Sequence, residues 1–138
     1  MREISKHWLE SASLDLENTQ LIIKNERLTG HVAFHSQQAI EKSLKAIIEE
    51  VGEKVPRIHS LSKLLDLSTA YLEIEADEDI VISLDSLYIE SRYPGEFGLL
   101  PEGKPTLKQA NIFYAFAQEV FETVKHYLED TKFDNVIM

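Results

Sequence analysis

The sequence predicts an all-α protein, an up-and-down antiparallel bundle of four to five helices. Apolar residues recur at three- and four-residue spacing through most of the chain, strand-like alternation is almost absent, and the breaks in the pattern fall at glycine and proline. A chain of 138 residues suits one core, read as a single domain over 1–130 with a short tail, 131–138.

The first helix is expected from Glu3 to Asn25, with Trp8, Leu9, Ala12, Leu16, Thr19 and Ile23 on one face. Arg27 to Gly30 supplies a turn. A second helix runs from about Gly30 to Val51, stopped by Gly52 with Pro56 beyond. The third begins near His59 or Ser60 and carries Leu61, Leu64, Leu65, Leu67 and Leu72. Asp77 to Asp79 suit the positive end of a fourth helix, which continues through Ile80, Leu84, Leu87 and Tyr88 and ends before Pro94.

Arg92 to Pro105, "RYPGEFGLLPEGKP", holds three prolines and three glycines and reads as a long loop, a class of segment more often functional than accidental. Phe97, Leu99 and Leu100 on it are expected to fold back on the bundle or to cover a partner. Thr106 and Gln109 form a capping-box start for a fifth helix, which carries Ala110, Phe113, Ala117, Val120, Val124 and Leu128.

Composition narrows the function classes. Apolar runs such as Leu21 to Ile23 are far too short to span a bilayer, and the N-terminus enters helical patterning directly, so a cytoplasmic protein is expected. The absence of cysteine excludes thiolate nucleophiles and disulfides. With no two histidines at metal spacing on one helix face, a tight transition-metal site is not expected, and no cofactor is implied. Twenty-four acidic against fourteen basic residues give a net charge of −10, the wrong sign for gripping a nucleic-acid backbone. Neither a Gly-x-Ser-x-Gly context nor a glycine-rich phosphate loop occurs.

The second helix carries the most informative pattern. At about 100° per residue, Ile40, Leu44, Ile47 and Val51 define a core direction. Gln38, Glu41 and Lys45 form a polar line roughly 110° away, bracketed by Phe34 and Ile48. A third face holds the small residues Ser36, Ala39, Ser43 and Ala46. In an antiparallel hairpin with the first helix, Asp15 comes level with residues 41–45 and can pair with Lys45 or Lys42, with Glu41 and Gln38 completing a network, since buried charges are tolerated only when paired. A structural ion pair and a ligand or partner site both remain open for this line.

Trp8, Ala12 and Asp15-Leu16, then "AFHSQQAIEKSLKAII", then His59-Ser-Leu-Ser-Lys-Leu-Leu, then "ESRYP" resemble, in that order and from about residue 5 to 128, the HEPN family of small helical bundles. The resemblance implies a bundle that dimerises, associated with nucleotide or RNA binding. Stand-alone members often accompany a minimal nucleotidyltransferase as a toxin–antitoxin pair or a nucleotide-modifying complex. Ligand- or partner-binding residues implied on this reading are Asp15, Gln38, Glu41, Lys45, Arg92 and Tyr93. For Arg92 a phosphate or carboxylate contact and a helix-terminal bond are equally open, and for Tyr93 base stacking and core filling.

Many family members are metal-independent ribonucleases with an Arg-x4-6-His motif, in which His handles the 2′-hydroxyl and Arg stabilises phosphate charge. Where the resemblance places that motif, after Arg92, this chain departs from it. Arg92 is followed by no histidine until His126, Arg27 and His31 are one residue too close, and Arg57 and His59 are closer still. No catalytic residue is therefore assigned, and the expected role is a binding module. The alternative is a toxin ribonuclease that joins Arg92 to a histidine from elsewhere in the dimer. His59 is read as helping the chain enter the third helix, and His7 and His35 as surface or boundary residues.

Overall fold

The computed structural model describes residues 1–90 and 103–137. Five α-helices follow one another: α1 (Glu3–Ile22), α2 (Thr29–Glu50), α3 (Leu61–Ser68), α4 (Glu78–Glu90) and α5 (Leu107–Ile137), with a 3-10 turn at Glu26–Leu28. The protein is the all-α bundle that its periodicity predicts. Among the described residues no helix is long and apolar enough to cross a membrane.

The helix ends follow from local chemistry. Asn25 ends the α1 pattern sooner than its apolar spacing implies, because its side chain accepts from the Arg27 N–H at 2.9 Å and caps the 3-10 turn. Gly52, at φ 83°, closes α2: its N–H reaches the Glu49 carbonyl at 3.1 Å, and that of Glu53 reaches Ile48 at 3.2 Å. That pair of bonds is a Schellman cap, whose left-handed residue favours glycine. Asp77 caps α4 through the N–H groups of Asp79 and Ile80 at 2.9 and 3.3 Å. Thr106 and Gln109 exchange the two bonds of the capping box, at 2.9 and 3.0 Å.

α2 is the central helix, packed against α1, α3, α4 and α5. Its core direction, Ile40, Leu44 and Ile47, is fully buried, and Val120, Val124 and Leu128 of α5, Leu84 of α4 and Leu61 and Leu64 of α3 join the same core. The small-residue face is sealed as well, with Ser36, Ala39, Ser43 and Ala46 at zero exposure. α3 is shorter than its leucine spacing suggests: Leu67 is exposed on it, and Leu72 lies past its end and packs partly against the core.

Candidate functional site

α1 and α2 form an antiparallel hairpin. Arg2 bonds Glu50 at 2.7 Å and Glu49 at 3.1 Å, the Lys45 ammonium sits 5.6 Å from the Trp8 ring centroid, and Asp15 meets His35 and Lys42 at 2.9 and 2.7 Å. Position rises on one helix as it falls on the other. Cation–π contact with Trp8 gives the shielded Lys45 ammonium a second favourable neighbour.

Two polar clusters result, rather than the single one expected. Asp15 pairs with Lys42 and His35, not with Lys45, and no bond joins it to Glu41 or Gln38. The reason is angular. His35 and Lys42 are seven residues apart, two turns of helix, and share one face of α2, whereas Lys45 points roughly 60° away at about 100° per residue. Asp15 itself is buried.

The second cluster centres on Glu41. Its carboxylate accepts from Lys45 Nζ at 3.0 Å, from Gln37 Nε2 at 3.1 Å and, at the long distance of 3.5 Å, from Gln38 Nε2. His59 Nδ1 lies 3.1 and 3.2 Å from its two oxygens. Gln38 also donates to Gln37 Oε1 at 2.7 Å, and Gln37 donates to the His59 carbonyl at 3.0 Å. An ionised carboxylate only accepts, so the proton on the His59 side of this contact belongs to Nδ1, and Nε2 is the nitrogen left outside the network. Thus Gln38, Glu41 and Lys45 form one unit, as their spacing predicts.

Two members of that unit lie outside the site residues drawn from the sequence. Gln37 is fully buried, and its wheel angle, between the core direction and the polar line, carries the signal for it. The His59 carbonyl accepts from Gln37 of α2 just before Ser60, which caps α3, and its ring is in addition a partner of Glu41 with 46% of its side chain exposed. No local pattern announces that contact, which spans eighteen residues. His35, expected at the boundary, is half-buried and tied to Asp15.

His59 opens onto a cleft of about 330 Å³ lined with Ser60, Asp85, Tyr88 and Ile89. Asp85 of α4 accepts from the N–H groups of Leu61 and Ser62 at 2.8 and 3.3 Å, so its charge complements the start of α3 and fixes one wall. Tyr88 lies against His59, with centroids 5.0 Å apart, and stacks on Phe34 at 6.1 Å with the planes 6° apart. Phe34 heads the polar line, so the line ends in this aromatic cluster. Arg92 and Tyr93, and with them Phe97, Leu99 and Leu100, lie outside the described residues. Among the described residues no group of three or more metal-ligating side chains occurs.

A helical bundle whose central helix carries a buried carboxylate–lysine pair, joined to a half-exposed histidine at a surface cleft, is a small helical domain with a polar site on its central helix. The chain belongs to the HEPN domain family, whose model matches residues 5–127. Two solved structures are similar over nearly their whole length. TT1696 from Thermus thermophilus is 27% identical with a TM-score of 0.66, covering 91% of this chain and 99% of that one. ST0689, described as an archaeal HEPN homologue, is 27% identical with a TM-score of 0.63, covering 91% and 98%. No curated protein matches the sequence.

Proposed function

We propose that this HEPN domain is a non-catalytic, cytoplasmic binding module that forms a homodimer and binds a nucleotide or a minimal nucleotidyltransferase, as one half of a two-component, toxin–antitoxin-like system. The observation that carries this reading is the Glu41 cluster: a charged network, shielded within the bundle, that ends in the exposed ring of His59 at a cleft. Family membership supports the ligand class, and the lack of a histidine four to six residues beyond Arg92 supports binding over RNA cleavage; Arg2 and His7, which do have that spacing, sit at the start of α1, where Arg2 bonds Glu49 and Glu50. Arg92 and Tyr93 lie two and three positions beyond Glu90 in sequence and belong to the proposed binding surface, together with Asp15, Gln38, Glu41 and Lys45.

The test is co-expression with a minimal nucleotidyltransferase encoded beside the gene, combined with ATP titration and determination of the solution mass. A dimer that captures either ligand, with binding weakened more by Lys45→Ala or Asp15→Ala than by Lys125→Ala, supports the reading. A strictly monomeric protein with affinity for neither would sink it.

One observation favours a second reading. A histidine held by a carboxylate through one nitrogen, with its half-exposed ring lining a cleft, has the geometry of a proton-transfer group, so His59 could serve a ribonuclease together with Arg92. Metal-free RNA cleavage that is lost in both His59→Ala and Arg92→Ala would establish it; RNA left intact on long incubation would exclude it.

A further inference from the structure

We infer that the His59 cleft is a subsite for a flat, uncharged heteroaromatic ring with an N–H edge, and that it does not hold phosphate. The inference rests on the nucleotide-binding reading and assigns the base, not the phosphates, to this cleft. Three features of the cleft carry it.

The first is directionality. Lys45, Gln37 and Gln38 all donate to Glu41, and His59 Nδ1 faces the same carboxylate. Glu41 thereby acts as a positioning residue that sets the ring's tautomer. In the neutral imidazole Nε2 is then a lone-pair acceptor, and the matching ligand group is an N–H donor. Among the described residues Nε2 has no hydrogen-bond partner, whereas Nδ1 has two oxygens.

The second is shape and surface. His59 and Tyr88 present aromatic rings and Ile89 an apolar chain to a space of about 330 Å³. That volume is at the small end of ligand sites, enough for a ring system and too small for an extended chain. Every nucleobase has a π-face, so stacking on such rings is favourable for any base.

The third is charge. The ionisable lining groups among the described residues are His59, Asp85 and the Tyr88 phenol, none of them a lysine or arginine, and Glu41 lies directly behind His59. Lys45 is spent on Glu41 and shielded from the cleft's solvent. A phosphate placed here would face Asp85 with no arginine or lysine in the described lining to offset the repulsion.

The experiment is calorimetric titration of the full chain with adenosine, ATP, ribose 5-phosphate and inorganic phosphate, repeated on His59→Ala and His59→Phe. Adenosine and ATP are expected to bind the native protein. Adenosine affinity should fall about tenfold or more in His59→Ala and less in His59→Phe, which keeps the aromatic surface. Ribose 5-phosphate and phosphate should not displace adenosine. Thermal unfolding of each variant checks that the bundle persists, since the Gln37 bond goes to the residue-59 carbonyl, which both variants keep. Displacement of adenosine by phosphate, or unchanged adenosine affinity in folded His59→Ala, overturns the inference. ATP binding without adenosine binding overturns it too, yet leaves the binding-module reading standing. Failure to bind either nucleotide or a nucleotidyltransferase removes that reading itself.

Discussion

Lys45 Nζ lies 3.0 Å from Glu41 Oε2, one turn back on the same helix, and the two side chains are only 6% and 5% exposed. Removing one partner from so shielded a pair strands the other charge. Lys45→Ala is therefore predicted to destabilise the fold by about 3–5 kcal/mol. Denaturant unfolding measures it. Glu41→Gln combined with Lys45→Met removes both charges while keeping an acceptor for Gln37 and His59, and should recover most of that loss.

Asp15 joins α1 to α2 through a more accessible cluster, with Lys42 and His35 side chains 22% and 26% exposed. Solvent screening reduces its worth, so Asp15→Ala should cost about 1–2 kcal/mol, between surface and buried pairs. Because the Asp15 and Glu41 clusters share no residue, Asp15→Ala and Lys45→Ala should add to within about 0.5 kcal/mol in a double-mutant cycle. A larger coupling would mean that the clusters act as one network.

Much of this was legible in the sequence, because helix periodicity and capping are local. The stripes Ile40–Leu44–Ile47 and Phe113–Ala117–Val120–Val124, the Thr106–Gln109 capping box and the Gly52 stop all depend on residues within a few turns of each other. The Gln38–Glu41–Lys45 unit was readable for the same reason. What one helix wheel cannot show is which neighbouring helix each face meets. The wheel thus leaves Lys42 and Lys45 both open to Asp15, which takes Lys42, and it shows neither His35 beside that pair nor His59 reaching Glu41 from the connection between α2 and α3. Exposed apolar residues such as Leu67 follow the same rule, since spacing fixes a face and not its burial.

The small-residue face of α2 sets how closely its neighbours approach. Ala39 is fully buried beside Ser36 and Ser43. Ala39→Leu enlarges a side chain at a fully buried position and should destabilise the bundle by about 1–3 kcal/mol through forced repacking. A lowered melting temperature with helical circular dichroism retained on the folded baseline is the expected observation.

Asp85 links the cleft wall to the start of α3. Asp85→Ala removes the acceptor of the Leu61 and Ser62 N–H groups and should cost about 1 kcal/mol. The local effect is sharper than the global one: hydrogen exchange at Leu61 should accelerate, while exchange at Ile47 in the middle of α2 changes only by the global loss.

The central claim is that the α2 network ends at a ligand-facing His59. The five histidines provide the probe, because their imidazole nitrogens can be followed by two-dimensional NMR during an ATP titration. A saturable shift of the His59 signals is predicted while His7 and His126 stay in place. ATP binding that leaves His59 unmoved, or that moves His7 or His126 instead, would contradict it.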